Sequence, residues 1–230
     1  MDWSFIGATF MRLLAAVPLT LEVWALSVIL GAIVAAAVTW MRLSDSKPLQ
    51  AIARAYVALF RGTPLLIQLF IVYYGLASLP AVRHSLFWPF LRDAFDCAVL
   101  ALGLCTAGYQ AEIFRGALLA VPHGQVEAAR ACGMSSLLLF RRIIFPIALR
   151  HGLPAYSTEM ISMVKATALV SLIMRWDVLS VALKIRNDTL VTYLPLILAG
   201  AIYFAINYAI GAAFLKLERR LSPHLRARPS

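Results

Sequence analysis

Stretches of twenty or more residues with almost no charge constrain this chain more than any other feature. A helix needs about 20 mostly apolar residues to cross the roughly 30 Å hydrocarbon layer of a bilayer. Five windows of that kind are present: Leu13 to Met41, interrupted only by Glu22; Gly62 to Val82, uncharged; Cys97 to about Ala120, with Glu112 and Arg115 late in it; Gly152 to Met174, containing Glu159 and Lys165; and Thr189 to Leu215, uncharged. The whole sequence is 62% hydrophobic and 14% charged, against about 25% charged residues in an ordinary soluble domain. A backbone in lipid must bond its own polar groups within the segment, so the windows predict helices and not the strands of a barrel. The expected fold class is therefore an all-α integral membrane protein of five transmembrane helices, forming a single domain over residues 1–230.

The opening Met1 to Arg12 lacks the basic start, short apolar run and small-residue cleavage site of a leader, so the first helix is expected to persist in the mature protein. Basic residues divide unevenly between alternate connecting segments. Fourteen fall in the set formed by 42–61, 115–150 and 216–228, and six in the set formed by Arg12, Arg83, Arg92, Arg175, Lys184 and Arg186. The positive-inside rule puts the richer set in the cytoplasm, which predicts an external N-terminus, a cytoplasmic C-terminus and a long cytoplasmic loop over 121–150. That distribution also accounts for the net charge of +10 without nucleic acid.

Within the loop, Gln125 to Cys132 reads as a short helix. Gly133 is expected to end it, because glycine tolerates the left-handed conformation of a helix stop. Ser135 or Ser136 can cap a second helix beginning at Leu137. The pattern Glu127-Ala128-Ala129, three residues, Gly133, nine residues, Ile143, one residue, Phe145-Pro146 resembles the EAA loop of binding-protein-dependent ABC importer permeases, with Phe145 departing from the usual leucine. Arg61-Gly62-Thr63-Pro64, Tyr109 to Gly116 and Leu153 to Glu159 resemble further motifs of the polar amino-acid permeases, in the branch handling histidine, lysine, arginine, ornithine and opines.

The resemblance implies a type I ABC importer permease in the bacterial inner membrane. It assigns Gln125, Glu127, Ala128, Ala129, Gly133 and Pro146 to a coupling element that docks on an ATP-binding subunit. It further implies a second permease subunit, either a sister chain or another copy, and an external solute-binding protein. Substrate contact is expected from Glu159, Thr63 and Ser162. The argument for Glu159 is physical: a carboxylate inside a span is costly and faces a cavity or a partner. Lys165, six positions along, projects from another face. The partner is either an arginine of a neighbouring helix or subunit, or the cationic group of a transported solute. Thr63 can cap a helix whose first position is Pro64. Glu112 and Arg115, three apart, are expected to pair on one helix face.

Other features point away from chemistry on this chain. No Gly-x-x-x-x-Gly-Lys-Ser/Thr loop occurs, so ATP hydrolysis is expected on a separate subunit, and no cofactor is expected. His84, His123, His151 and His224 lack metal-ligand spacing. Cys97, Cys105 and Cys132 form no Cys-x-x-Cys pair and read as small packing residues. Glu22 and Lys165 can snorkel to the nearer interface. A lipid-modifying membrane enzyme would gather polar residues at one interface, and an ion-driven secondary transporter would show inverted repeats; neither explains the 127–146 loop as well.

Overall fold

The structure is a computed structural model that describes residues 3–86, 88–174 and 176–221. The basic residues Arg175, Arg226 and Arg228, together with His224, lie outside the described residues. All regular structure within them is helical.

Helix α1, Trp3–Leu43, has 41 residues and begins ten positions before its apolar window. At 1.5 Å per residue it is about 60 Å long, so it crosses the bilayer and projects beyond it. Its buried stripe of Leu13, Ala16, Thr20, Val23, Ser27, Gly31, Ala35 and Val38 repeats every three or four residues and consists largely of small side chains. Small residues let helices approach closely in a membrane. A Cβ on Gly31 would lie 2.4 Å from Thr106 Cγ2, so this crossing with the later helix α4 requires glycine. Thr39 Oγ1 donates to the Ala111 carbonyl at 3.1 Å and Ser27 Oγ to that of Val99 at 3.4 Å, tying the same pair of helices.

The segment expected to be a basic loop is instead helix α2, Lys47–Gly62, which buries Ala53 and Val57 on one side. It is joined to α3, Leu65–Ser78, through a bend of 103°. The residue before a proline is pushed out of the α region, and Thr63, before Pro64, sits at φ −110° and ψ 143°. Leu79, before Pro80, is extended for the same reason and ends α3, which contains a π-helical turn over Ile71–Gly75. The window Gly62 to Val82 therefore contains only 14 helical residues between its two prolines, about 21 Å, and reaches span length only as a bent pair with α2.

Helix α4, Ala94–Leu119, starts at Asp93, whose carboxylate accepts from the Phe95 amide at 2.7 Å. Its apolar window is 61% buried, against 11% for that of the last helix, so α4 is the axis of the fold and the last helix its outer wall. Helix α5, His123–Ala131, follows, and then α6 over residues 136–166. A π-helical turn, Phe140–Ile144, interrupts α6 just before Pro146, which cannot supply the N–H that the Arg142 carbonyl would take in an α-helix. A 3₁₀ stretch, Thr167–Leu172, completes the fourth window.

Helix α7, Val178–Thr189, was not foreseen; Asp177 caps it by accepting from the Leu179 amide at 3.0 Å. Helix α8, Tyr193–Leu221, replaces the fifth window, whose first residue, Thr189, belongs to α7. Among the described residues three helices, α1, α4 and α8, are long and apolar enough to cross a membrane, or four if α2 and α3 count as one. The fourth window is helical, but Arg150, Glu159 and Lys165 make α6 too polar to stand among them.

Candidate functional site

A cleft of about 440 Å³ opens between the end of α2, the second half of α4 and the middle of α6, lined among others by Arg61, Tyr109, Glu112, His151 and Glu159. That volume lies within the range of small-molecule sites, about 300–1,000 Å³. Each charged side chain reaches it by a different route. The bend after Gly62 turns the chain away just beyond Arg61, leaving its guanidinium over the Tyr109 ring at 5.1 Å from the centroid. Glu112 lies one turn further along α4 than Tyr109. Glu159 comes from the middle of α6.

Glu112 is saturated with positive charge. Arg42 Nη2 lies 3.1 Å from its Oε1, while Arg115 donates to Oε2 through Nε at 3.0 Å and Nη2 at 2.8 Å. The expected Glu112–Arg115 pair is present, and Arg42, from the end of α1, completes it. Glu159 is held otherwise. Its Oε1 accepts from Thr106 Oγ1 at 2.8 Å, and no arginine or lysine forms an ion pair with it among the described residues. Thr106 is in turn fixed by Gln110 Nε2, which donates to its hydroxyl at 3.2 Å; both side chains are fully buried. The carboxylate is thus aimed from behind by neutral groups and left facing the cleft.

Thr63 does not cap α3. Its hydroxyl donates back to the Leu59 carbonyl at 2.8 Å and accepts from Gln68 Nε2 at 2.8 Å, and Pro64 occupies the capping position in place of the first helical one. The residue braces the bend and is not among the cleft-lining residues. Ser162 is exposed one turn beyond Glu159, and Lys165 is exposed on a different face.

At the far end of the cleft lies the hairpin of α5. Gly133 adopts φ +75°, and the Met134 amide donates to the Ala129 carbonyl at 3.2 Å and the Gly133 amide to that of Arg130 at 2.9 Å, a Schellman stop. Ser135 precedes α6 without a side-chain capping bond, and the helix begins at Ser136, one residue earlier than expected. Gln125, Glu127 and Ala128 are exposed, whereas Ala129 is buried within this chain, so its small size serves internal packing. Pro146 lies inside α6, beside the π-helical turn.

Thr106, Tyr109, Arg42 and Arg61 were not singled out from the sequence as site residues. The spacing Thr106, Tyr109, Ile113 on one face of an apolar helix was the available signal for the first two. Nothing local marks Arg42, which becomes relevant only through the crossing of α1 and α4.

Helices of membrane length around a charged cleft, with a capped hairpin at one end, define a membrane transport subunit. The chain belongs to the family of binding-protein-dependent transport system inner membrane components, whose model matches residues 8–223. It is accordingly a multi-pass inner-membrane permease with the all-helical type I importer fold. It is 48% identical over 225 residues to the octopine transport system permease protein OccM of Rhizobium radiobacter, covering 98% of this chain and 92% of that one. Identity is 43% over 229 residues to the nopaline transport system permease protein NocM of Agrobacterium fabrum, covering 99% and 95%. It is 39% over 211 residues to the histidine/lysine/arginine/ornithine transport system permease protein HisM of Escherichia coli K12, covering 91% and 89%. A solved amino acid ABC transporter with histidines superposes with a TM-score of 0.83 at 32% identity, covering 96% of this chain and 99% of that one. The MetNI methionine transporter shares the fold, with a TM-score of 0.75 at 18% identity and the same coverage.

Proposed function

We propose that this permease imports cationic amino acids, or opines that carry such a group, and that Glu159 receives the cation. The observation that carries this reading is the contrast in charge at the cleft: Glu112 is bound by two arginines, whereas Glu159 forms no ion pair among the described residues, accepting from the Thr106 hydroxyl with Arg61 as the cation that shares its cleft. A positively charged solute supplies the missing partner through a charge-assisted hydrogen bond. The permeases named for octopine, nopaline and basic amino acids support the same solute class.

In the complete transporter the chain pairs with a second permease subunit, receives solute from an external binding protein and is driven by a separate ATP-binding subunit. We place five spans in the bilayer, with α2 and α3 as one bent span and α6 as the polar one, the N-terminus outside and the C-terminus inside. Residues 1–230 form one domain, and the 121–150 loop meets the ATPase. Gln125, Glu127 and Ala128 supply the exposed face of that contact, and Gly133 and Pro146 shape it. Leu137, 78% exposed beside the hairpin, adds an apolar anchor.

The test is solute-stimulated ATPase activity of the reconstituted complex with its binding protein. Arginine or octopine is expected to stimulate and glutamine to stimulate weakly; a preference for glutamine overturns the assignment. For the hairpin, Gly133→Val places a β-branched residue at φ +75°, while a Cβ there meets nothing within 4 Å, so conformation alone is perturbed. Uptake is expected to fall with membrane insertion intact. Normal uptake in that variant removes the hairpin from the coupling path.

A further inference from the structure

The cleft holds a cation as well as carboxylates. Arg61, in the last turn of α2, lines it together with Glu159 and is the one arginine or lysine among the cleft-lining residues. We propose that Arg61 binds the carboxylate of the transported solute, so that the cleft grips an amino acid or opine at two points of opposite charge. This rests on the reading that gives Glu159 the solute's cation and extends it to the other end of the same molecule.

The Arg61 side chain is positioned without being paired. Its stem lies against α4 where Gly108 has no side chain; a Cβ there would stand 3.4 Å from Arg61 Cγ. Its guanidinium lies over the Tyr109 ring, 5.1 Å from the centroid, a cation–π contact that holds the head without using its N–H groups. Among the described residues it forms no ion pair and no side-chain hydrogen bond, and its attraction to Glu112 and Glu159 acts at longer range. Glu112 is already bound by Arg42 and Arg115, neither of which lines the cleft. Glu159 accepts from Thr106. The donors of the Arg61 fork are therefore left over, in the planar arrangement that matches the two oxygens of a carboxylate.

The solute class requires such a group. Amino acids and opines carry a carboxylate as well as a cation, and an ionised carboxylate taken out of water needs a partner. With Glu159 alone, the cleft would attract the cationic end and leave the carboxylate against carbon from Ile113, Ala117 and Ala155. Arg61 supplies the missing charge, and a bidentate fork fixes orientation as well as sign. A ligand that has the cation but no carboxylate loses one of its two anchors.

The experiment is isothermal titration of arginine and of argininamide into the assembled complex of permease and ATP-binding subunits in nanodiscs, without the external binding protein. Argininamide keeps the guanidinium and the α-amino group and replaces the carboxylate with a neutral amide. The native complex is expected to bind arginine roughly 10- to 100-fold more tightly than argininamide, the range for hydrogen bonds to a charged group. In Arg61→Gln the preference is expected to vanish, with arginine weakened to the level of argininamide and argininamide unchanged. Arg61→Lys is expected to keep part of it, since it retains the charge and loses the fork. Glu159→Gln is expected to weaken both ligands by the same factor, because both carry the guanidinium. Absence of saturable arginine binding, or equal affinity of the native complex for the two ligands, overturns the carboxylate site. A preference that survives Arg61→Gln overturns the assignment to Arg61, and so does a variant that weakens both ligands alike. Loss of the second permease subunit from Arg61→Gln with the preference intact gives Arg61 to a carboxylate of that subunit. If Glu159→Gln changes neither ligand while Arg61→Gln still removes the preference, the cation reading of Glu159 falls and the carboxylate site stands.

Discussion

On α4 the Glu112 carboxylate accepts two hydrogen bonds from Arg115 and forms an ion pair with Arg42, whereas on α6 the Glu159 carboxylate, lining the same cleft, accepts one hydrogen bond from a buried threonine. The first arrangement satisfies an ion permanently and ties the ends of α1 and α4 together. The second fixes the direction of a carboxylate and, among the described residues, leaves it without an ion pair, Arg61 sharing the cleft at longer range. Two glutamates in apolar helices thus differ in what their neighbours supply: one is tied into an ion-pair network, and the other lines the cleft with a single neutral hydrogen bond, which is why the proposal above gives it the solute.

The largest effect is expected at the available carboxylate. Glu159→Gln keeps size and hydrogen bonding but removes the charge, and a hydrogen bond to a charged group is worth about 1.5 to 3 kcal/mol, so uptake of arginine or octopine should fall by roughly 10- to 100-fold. Transport of a neutral amino acid and the melting temperature of the complex should change little. Equal loss for every solute would make Glu159 a structural residue like Glu112 and break the comparison.

Glu112→Gln should do the reverse. Arg42 and Arg115 lose their shared counter-ion, and the complex should lose stability by about 2 kcal/mol, read as a lower melting temperature in detergent, with the ranking of solutes unchanged. A change in ranking would place Glu112 in the solute path. Thr106→Val should have the smallest effect. It removes the single neutral bond to Glu159, worth about 1 kcal/mol, so the half-saturation concentration for cations should rise roughly fivefold with preference retained. No change in that constant would show that Glu159 is aimed by packing and not by Thr106.

The hairpin and the cleft were legible in the sequence to different degrees. Gly133 was readable because a helix stop is local chemistry, and its φ of +75° follows from the residue type. Pro64 was read as the first residue of a helix, one position early, since the helix starts at Leu65, and the helix before it was missed. The basic residues of 42–61 were read as a loop, although Ala53 and Val57 provide the buried side of α2. Helix α7 was hidden for a similar reason, since twelve mixed-polarity residues between two apolar windows look like a connection. Thr63 was read as the cap of the next helix and as a solute contact, but its hydroxyl bonds Leu59 and Gln68 across the bend, so the cap reading was wrong.

The sequence by itself determined that the chain lives in a membrane, that its spanning segments are helices, which family it resembles, and that Glu159 needs a partner. Each of these depends on composition, residue type or spacing along one helix, which are local quantities. Only the tertiary structure decided that Thr106 hydrogen-bonds Glu159, that Arg42 joins Arg115 on Glu112, and that Arg61 is brought to the same cleft. Those outcomes depend on which faces of separate helices meet, and the close crossing of α1 and α4 at Gly31 shows why: helix contacts are set by the shapes of two surfaces together, which neither sequence segment specifies alone.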